Sequence, residues 1–115
     1  MKNKAIYKFN FDCGRQGTLT GTFIEDKSYV EYLIKEGIVV YFGEVLGKHS
    51  EVYGKIDEGE IIFVSDDPQN IKVMEDLKLE SGYNPFEYTE FMCEDEGMED
   101  ATIREIIEKR LNPNP

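Results

Sequence analysis

From Lys4 to Asp12 apolar and polar residues alternate. Ala5, Tyr7, Phe9 and Phe11 fall on one face, and Lys4, Ile6, Lys8 and Asn10 on the other. Period two marks a half-buried strand. Cys13-Gly14-Arg15-Gln16-Gly17 supplies turn glycines, and the β-branched run Thr18–Ile24 predicts a second strand that closes a hairpin. The period then changes. Asp26 stands where an N-cap belongs, Tyr29, Val30, Leu33 and Ile34 form a helical stripe, and Gly37 ends it.

Ile38 to Leu46 is almost wholly apolar, as expected of a central strand. Gly47-Lys48 turns the chain and residues 49–56 return. Glu58-Gly59 turns it again before a fifth strand, Ile61-Ile62-Phe63-Val64. Asp66-Asp67-Pro68 opens a second helix with an Asp cap and Pro in the first turn, and Ile71, Met74 and Leu77 line one side. After the Ser81-Gly82-Tyr83-Asn84-Pro85 loop comes an acidic segment, 87–100. A last helix is predicted over 100–111, with Ile103, Ile106, Ile107 and Leu111 on its stripe. The order ββαβββαα predicts one α+β domain over 1–115: an antiparallel sheet of about five strands with helices packed on one face.

A two-residue turn at Gly47-Lys48 would pair Glu44 with Glu51 and Phe42 with Tyr53. Val39, Tyr41, Gly43, Val45, Ser50, Val52, Gly54 and Ile56 would then face the core. Phe42, Glu44, Leu46, His49, Glu51 and Tyr53 would face away. Two opposed carboxylates beside the only histidine suggest a small-ligand or metal-binding module, with Arg15 contributing from the first loop. The plainer reading is a solvated strand face. A third makes Phe42 and Tyr53 aromatic anchors within a charged rim.

Charge changes the picture. The chain has a net charge of −11. Residues 1–55 carry eight basic against seven acidic residues, and 56–115 five against seventeen. Segment 87–100 holds seven acids and no base, with Phe91 and Tyr88 among them and Phe86 just before. Such a field repels nucleic acid and anionic membranes and attracts basic protein surfaces. It also serves solubility. The expectation is a protein partner with a basic surface, no direct nucleic acid and no membrane. The contacts would come from Phe42, Tyr53, Phe86, Tyr88, Glu90, Phe91, Glu94, Asp95, Glu96 and Glu99. A homo-oligomer whose acidity only keeps it in solution fits the same composition.

Other chemistry is thin. The acidic segment lacks the spacing of a calcium loop. The Cys13 loop joins two strands and has no following helix to hold a phosphate. Tyr83 and Tyr88 read as core or contact residues. No catalytic triad, phosphate loop or zinc spacing occurs, so the expectation leans away from an enzyme and includes no cofactor and no metal. Two cysteines, no apolar leader and no long apolar run predict a reduced, cytoplasmic protein.

Three segments carry a resemblance: 10–17 (NFDCGRQG), 41–54 (YFGEVLGKHSEVYG) and 81–85 (SGYNP). They resemble a family of small uncharacterised phage and bacterial proteins over residues 5–88. The resemblance attaches no activity and transfers no functional residue. It implies a setting in which small acidic proteins inhibit host machinery by binding it. The expected function is thus a non-enzymatic inhibitor or adaptor, such as a nucleic-acid-mimicking anti-defence protein acting on a nucleic-acid-binding host protein. A toxin-neutralising immunity protein is the alternative, beside the ligand-binding hairpin.

Overall fold

A computed structural model describes residues 3–14, 17–45 and 51–112. The fold is α+β with antiparallel strands, and the strands are shared between two sheets. β1 (Lys4–Asp12) and β2 (Thr18–Asp26) form the long hairpin. α1 (Lys27–Glu36), β3 (Val39–Gly43), β4 (Val52–Lys55) and β5 (Ile61–Ser65) follow. α2 (Pro68–Asp76), β6 (Ser81–Gly82), β7 (Thr89–Glu90) and α3 (Ile103–Leu111) complete the order. One sheet runs β5-β1-β2-β6 and the other β4-β3-β7. The central strand thus belongs to a second sheet of its own, and two-residue strands within the predicted loop and acidic segment edge each sheet.

The sheets meet through aromatic rings. Phe9 and Phe11 of β1 lie 6.0 and 5.9 Å from Phe42 of β3, centroid to centroid. Val30 and Leu33 of α1, Ile103 and Ile107 of α3, and Phe86 join the same core. Each side chain buried this completely contributes about 1.5–3 kcal/mol. Gly54 lets the layers approach: a Cβ there would lie 2.9 Å from the Phe11 ring. At the other edge a Cβ on Gly21 would run into the Tyr83 carbonyl, so only glycine lets β6 pair with β2.

Helix signals were largely legible. Asp26 caps α1 by accepting from the Ser28 N–H at 2.8 Å, and Gly37 closes it at φ 61°. Asp67 caps α2 with Pro68 in its first turn. Three expectations need correction. The helices divide between two faces: α2 sets Ile71 and Met74 on Ile6 and Ile24, on the side of the long sheet away from the main core. Leu77 caps the C-terminus of α2 and is 64% exposed. The last helix starts at Ile103, because Thr102 and Glu105 form a capping box that fixes its first turn.

Candidate functional site: an aromatic and carboxylate face

The second hairpin departs from the predicted register. Gly43 pairs with Val52 as expected, but Tyr41 pairs with Tyr53, and the register shifts between them at Phe42. Phe42 is the extra residue of a bulge. Its side chain enters the core with Val40, and both are buried. Tyr41 and Val39 turn to the opposite face, which Tyr53 shares. The predicted core face was therefore right for β4 and reversed for β3. A one-residue slip exchanges every side chain between faces, and here the bulge makes that slip.

The bulge assembles three rings. Tyr53 stacks on Phe91 with centroids 4.0 Å apart and planes 4° from parallel. Tyr41 lies 5.9 Å from Phe91. Phe91 is held there because its N–H donates to the Val39 carbonyl at 2.8 Å, extending the β7–β3 pairing. Tyr53 is 49% exposed. Glu51 and Glu44 are exposed beside this stack. Hydrogen bonding to the Glu51 carboxylate pushes the Tyr41 phenol above its ordinary pKa, and burial and the charges of Glu51 and Glu44 add to the rise. The face therefore combines flat apolar rings with carboxylates at their rim.

Next to it, Arg110 of α3 gathers two acids of the acidic segment. Its Nη2 donates to Glu90 Oε1 and to Asp95 Oδ2, each at 2.9 Å, and Nε donates to Asp95 at 3.1 Å. These groups and Phe91 line an open bowl of about 430 Å³ against the C-terminal end of α1. Glu94, Glu96 and Glu99 are exposed, with no ion pair among the described residues. The five acids predicted as contacts therefore split: Glu90 and Asp95 brace α3, while Glu94, Glu96 and Glu99 face solvent.

Several anticipated contact residues lie elsewhere. Phe42 and Phe86 are buried in the core and cannot anchor a partner. Tyr88 is half-buried with its ring 4.8 Å from Phe42, and burial pushes its phenol up. Of the aromatic anchors, Tyr53 and Phe91 remain. Arg15 and His49 lie outside the described residues, as does the Gly47-Lys48 turn. The β3–β4 ladder ends at Gly43 and Val52, so no cross-strand pairing of Glu44 with Glu51 is formed in it. Among the described residues, no three His, Cys, Asp or Glu side chains are grouped to hold a metal ion. Burial raises the pKa of the Cys13 and Cys93 thiols, the opposite of activation.

Two of the pairings that escaped the sequence reading hold α3. One is Arg110 with its acids. Arg110 is one of only five bases among residues 56–115, and that scarcity beside so many acids was the available signal. The other is Glu25, fully buried on β2, whose Oε1 accepts from Arg104 Nε at 2.8 Å. Glu25 stands beside Asp26 and Lys27 at a strand end that reads as solvated, and nothing local announces its burial or its distant partner. Burial pushes the Glu25 carboxyl up, and the Arg104 charge opposes that rise.

No helix among the described residues is long and apolar enough to cross a membrane. Comparisons with protein-family models, with curated proteins and with solved structures found no match.

Proposed function

We propose that the chain is a non-enzymatic protein-binding module, an inhibitor or adaptor, that receives a basic protein surface on the Tyr41–Tyr53–Phe91 face. The observation behind this reading is the half-exposed Tyr53–Phe91 stack with Glu51 and Glu44 at its edge. A lysine or arginine placed over such rings gains cation–π attraction and meets a carboxylate at the same time. Anchors of this kind dominate protein interfaces. Glu94, Glu96 and Glu99 supply long-range attraction and raise the association rate. A cytoplasmic phage inhibitor of a nucleic-acid-binding host protein fits this chemistry, since a groove built for phosphates accepts carboxylates.

The test begins with capture of the partner from host lysate and elution by salt. Affinity for that purified partner is then measured for Tyr53→Ala, Phe91→Ala and the triple change of Glu94, Glu96 and Glu99 to Gln. Either aromatic truncation is expected to weaken binding at least tenfold, chiefly through faster dissociation. The triple change should slow association and flatten its salt dependence. Unchanged affinity in both aromatic variants would sink the proposal.

A further inference from the structure

β5 is the outer strand of the four-stranded sheet, and β1 is its only partner among the described strands. Edge strands invite further pairing unless they are very short, charged, twisted away by a bulge, broken by proline or covered. β5 carries no charge and no proline. Three consecutive residues stand open: Ile62 at 52%, Phe63 at 52% and Val64 at 46% exposure. A bulge against β1 falls between Phe63 and Ser65, where Ile6 pairs with Ser65 and Tyr7 with Phe63. This bulge is the one blunting feature of the strand, and it leaves Val64 exposed like its two neighbours.

Both ends of this open strand are acidic. Asp57, Glu58 and Glu60 precede it, and Asp66 and Asp67 follow. Among the described residues, the positive groups placed against this strand are Lys27, bridged to Asp66 at 2.6 Å and lying over the Phe63 ring, and Lys8, opposite Ile62 on β1. A second copy paired antiparallel about Phe63 would set the acids at one end against those at the other, between chains that each carry −11. Three half-open side chains are also a small part of the ~800 Å² per partner of a standard interface. A flexible strand with basic ends meets neither obstacle.

We infer that β5 is a strand-addition site for an extended segment of another protein, apolar at its centre and basic at its flanks. Backbone hydrogen bonds to the free edge would bind it. Ile62, Phe63 and Val64 would cover its alternate side chains, and the acids at each end would hold its basic residues. The surface is separate from the Tyr53–Phe91 face, so either site can fail without the other.

The probe is a synthetic peptide with alternating valine and threonine between paired lysines, titrated into the ¹⁵N-labelled full chain. The expected result is amide shifts at Ile61–Ser65 and at the β1 residues opposite. They should weaken at least tenfold in the Ile62→Lys variant and with added salt, persist in Tyr53→Ala, and be absent for a peptide flanked by glutamates. No shifts at millimolar peptide would overturn the inference. So would equal binding of the glutamate-flanked peptide, or shifts gathered at Tyr53 and Phe91. A wild-type chain that sediments as a dimer, with Ile62→Lys monomeric, would also overturn it by giving the edge to a second copy.

Discussion

The two hairpins differ in how the sequence constrains their register. β1 and β2 pair without interruption from Lys4↔Asp26 to Asp12↔Thr18. β3 and β4 pair over a shorter ladder that shifts at Phe42. On β1 lysines and an asparagine alternate with aromatic residues, so only one register buries the rings and solvates the charges. β3 is apolar on both faces, and its alternation carries no such instruction. Register is legible where polar residues mark the outer face, and it passes to tertiary packing where they do not. Here packing places Phe42 between Phe9, Phe11 and Tyr88.

The strongest way to break this contrast is to truncate the ring that the bulge buries. Phe42→Ala should destabilise the fold by about 3–5 kcal/mol in denaturant unfolding, as for other buried phenylalanines. Tyr53→Ala, at the position predicted to pair with it, should destabilise far less and act on partner binding instead. Equal losses for the two would mean that Phe42 is not the inward residue.

The buried ion pair gives the next effect. Arg104→Ala leaves the Glu25 carboxylate unpaired in a dry site, a change that costs about 3 kcal/mol or more at neutral pH. The pH dependence identifies the cause. Burial lifts the folded-state pKa of Glu25 above its ordinary value of 4.5. The folded state therefore holds the proton more tightly than the unfolded chain. Glu25's contribution to stability is greatest below that ordinary value and declines as pH rises toward the raised one. Removing Arg104 takes away the opposing charge, so the decline should steepen and extend to higher pH. Glu25→Gln should abolish it. Thermal unfolding followed across pH 4 to 8 separates the three proteins.

Gly54→Ala sharpens the comparison more gently. Its Cβ would press on the buried Phe11 ring, and overpacking of this kind costs about 1–3 kcal/mol. Gly59→Ala, where a Cβ meets nothing within 4 Å, is the control and should leave the midpoint of denaturation nearly unchanged.

The same distinction explains how much of the site was readable. Alternation along β4 puts Tyr53 and Glu51 on the outer face, and Phe91 stands among the acids of 87–100, so these three are legible in the sequence. Tyr41 could not: in the unbulged register it points to the core. Phe86 and Tyr88 misled for a related reason. They stand beside the acidic segment in sequence, yet Asn84 caps a short turn over Pro85–Glu87 that buries Phe86 completely. The caps of α1 and α2 were readable because each is set within three or four residues. The Glu25–Arg104 and Arg110 pairings join residues that only the folded chain brings together.

The smallest effect tests the bulge most directly. In the regular register Tyr41 faces the core and Glu51 the opposite side, so the two never meet. In the bulged ladder they share a face, and the Glu51 carboxylate holds the Tyr41 phenol above its ordinary pKa. Glu51→Gln removes the charge and should move the Tyr41 titration back toward an ordinary tyrosine, with little change in stability because both groups lie at the surface. The readout is the tyrosine ring resonances followed through alkaline pH. A Tyr41 titration indifferent to Glu51→Gln would place the two on different faces, undoing the bulge and with it the aromatic face that the proposed partner needs.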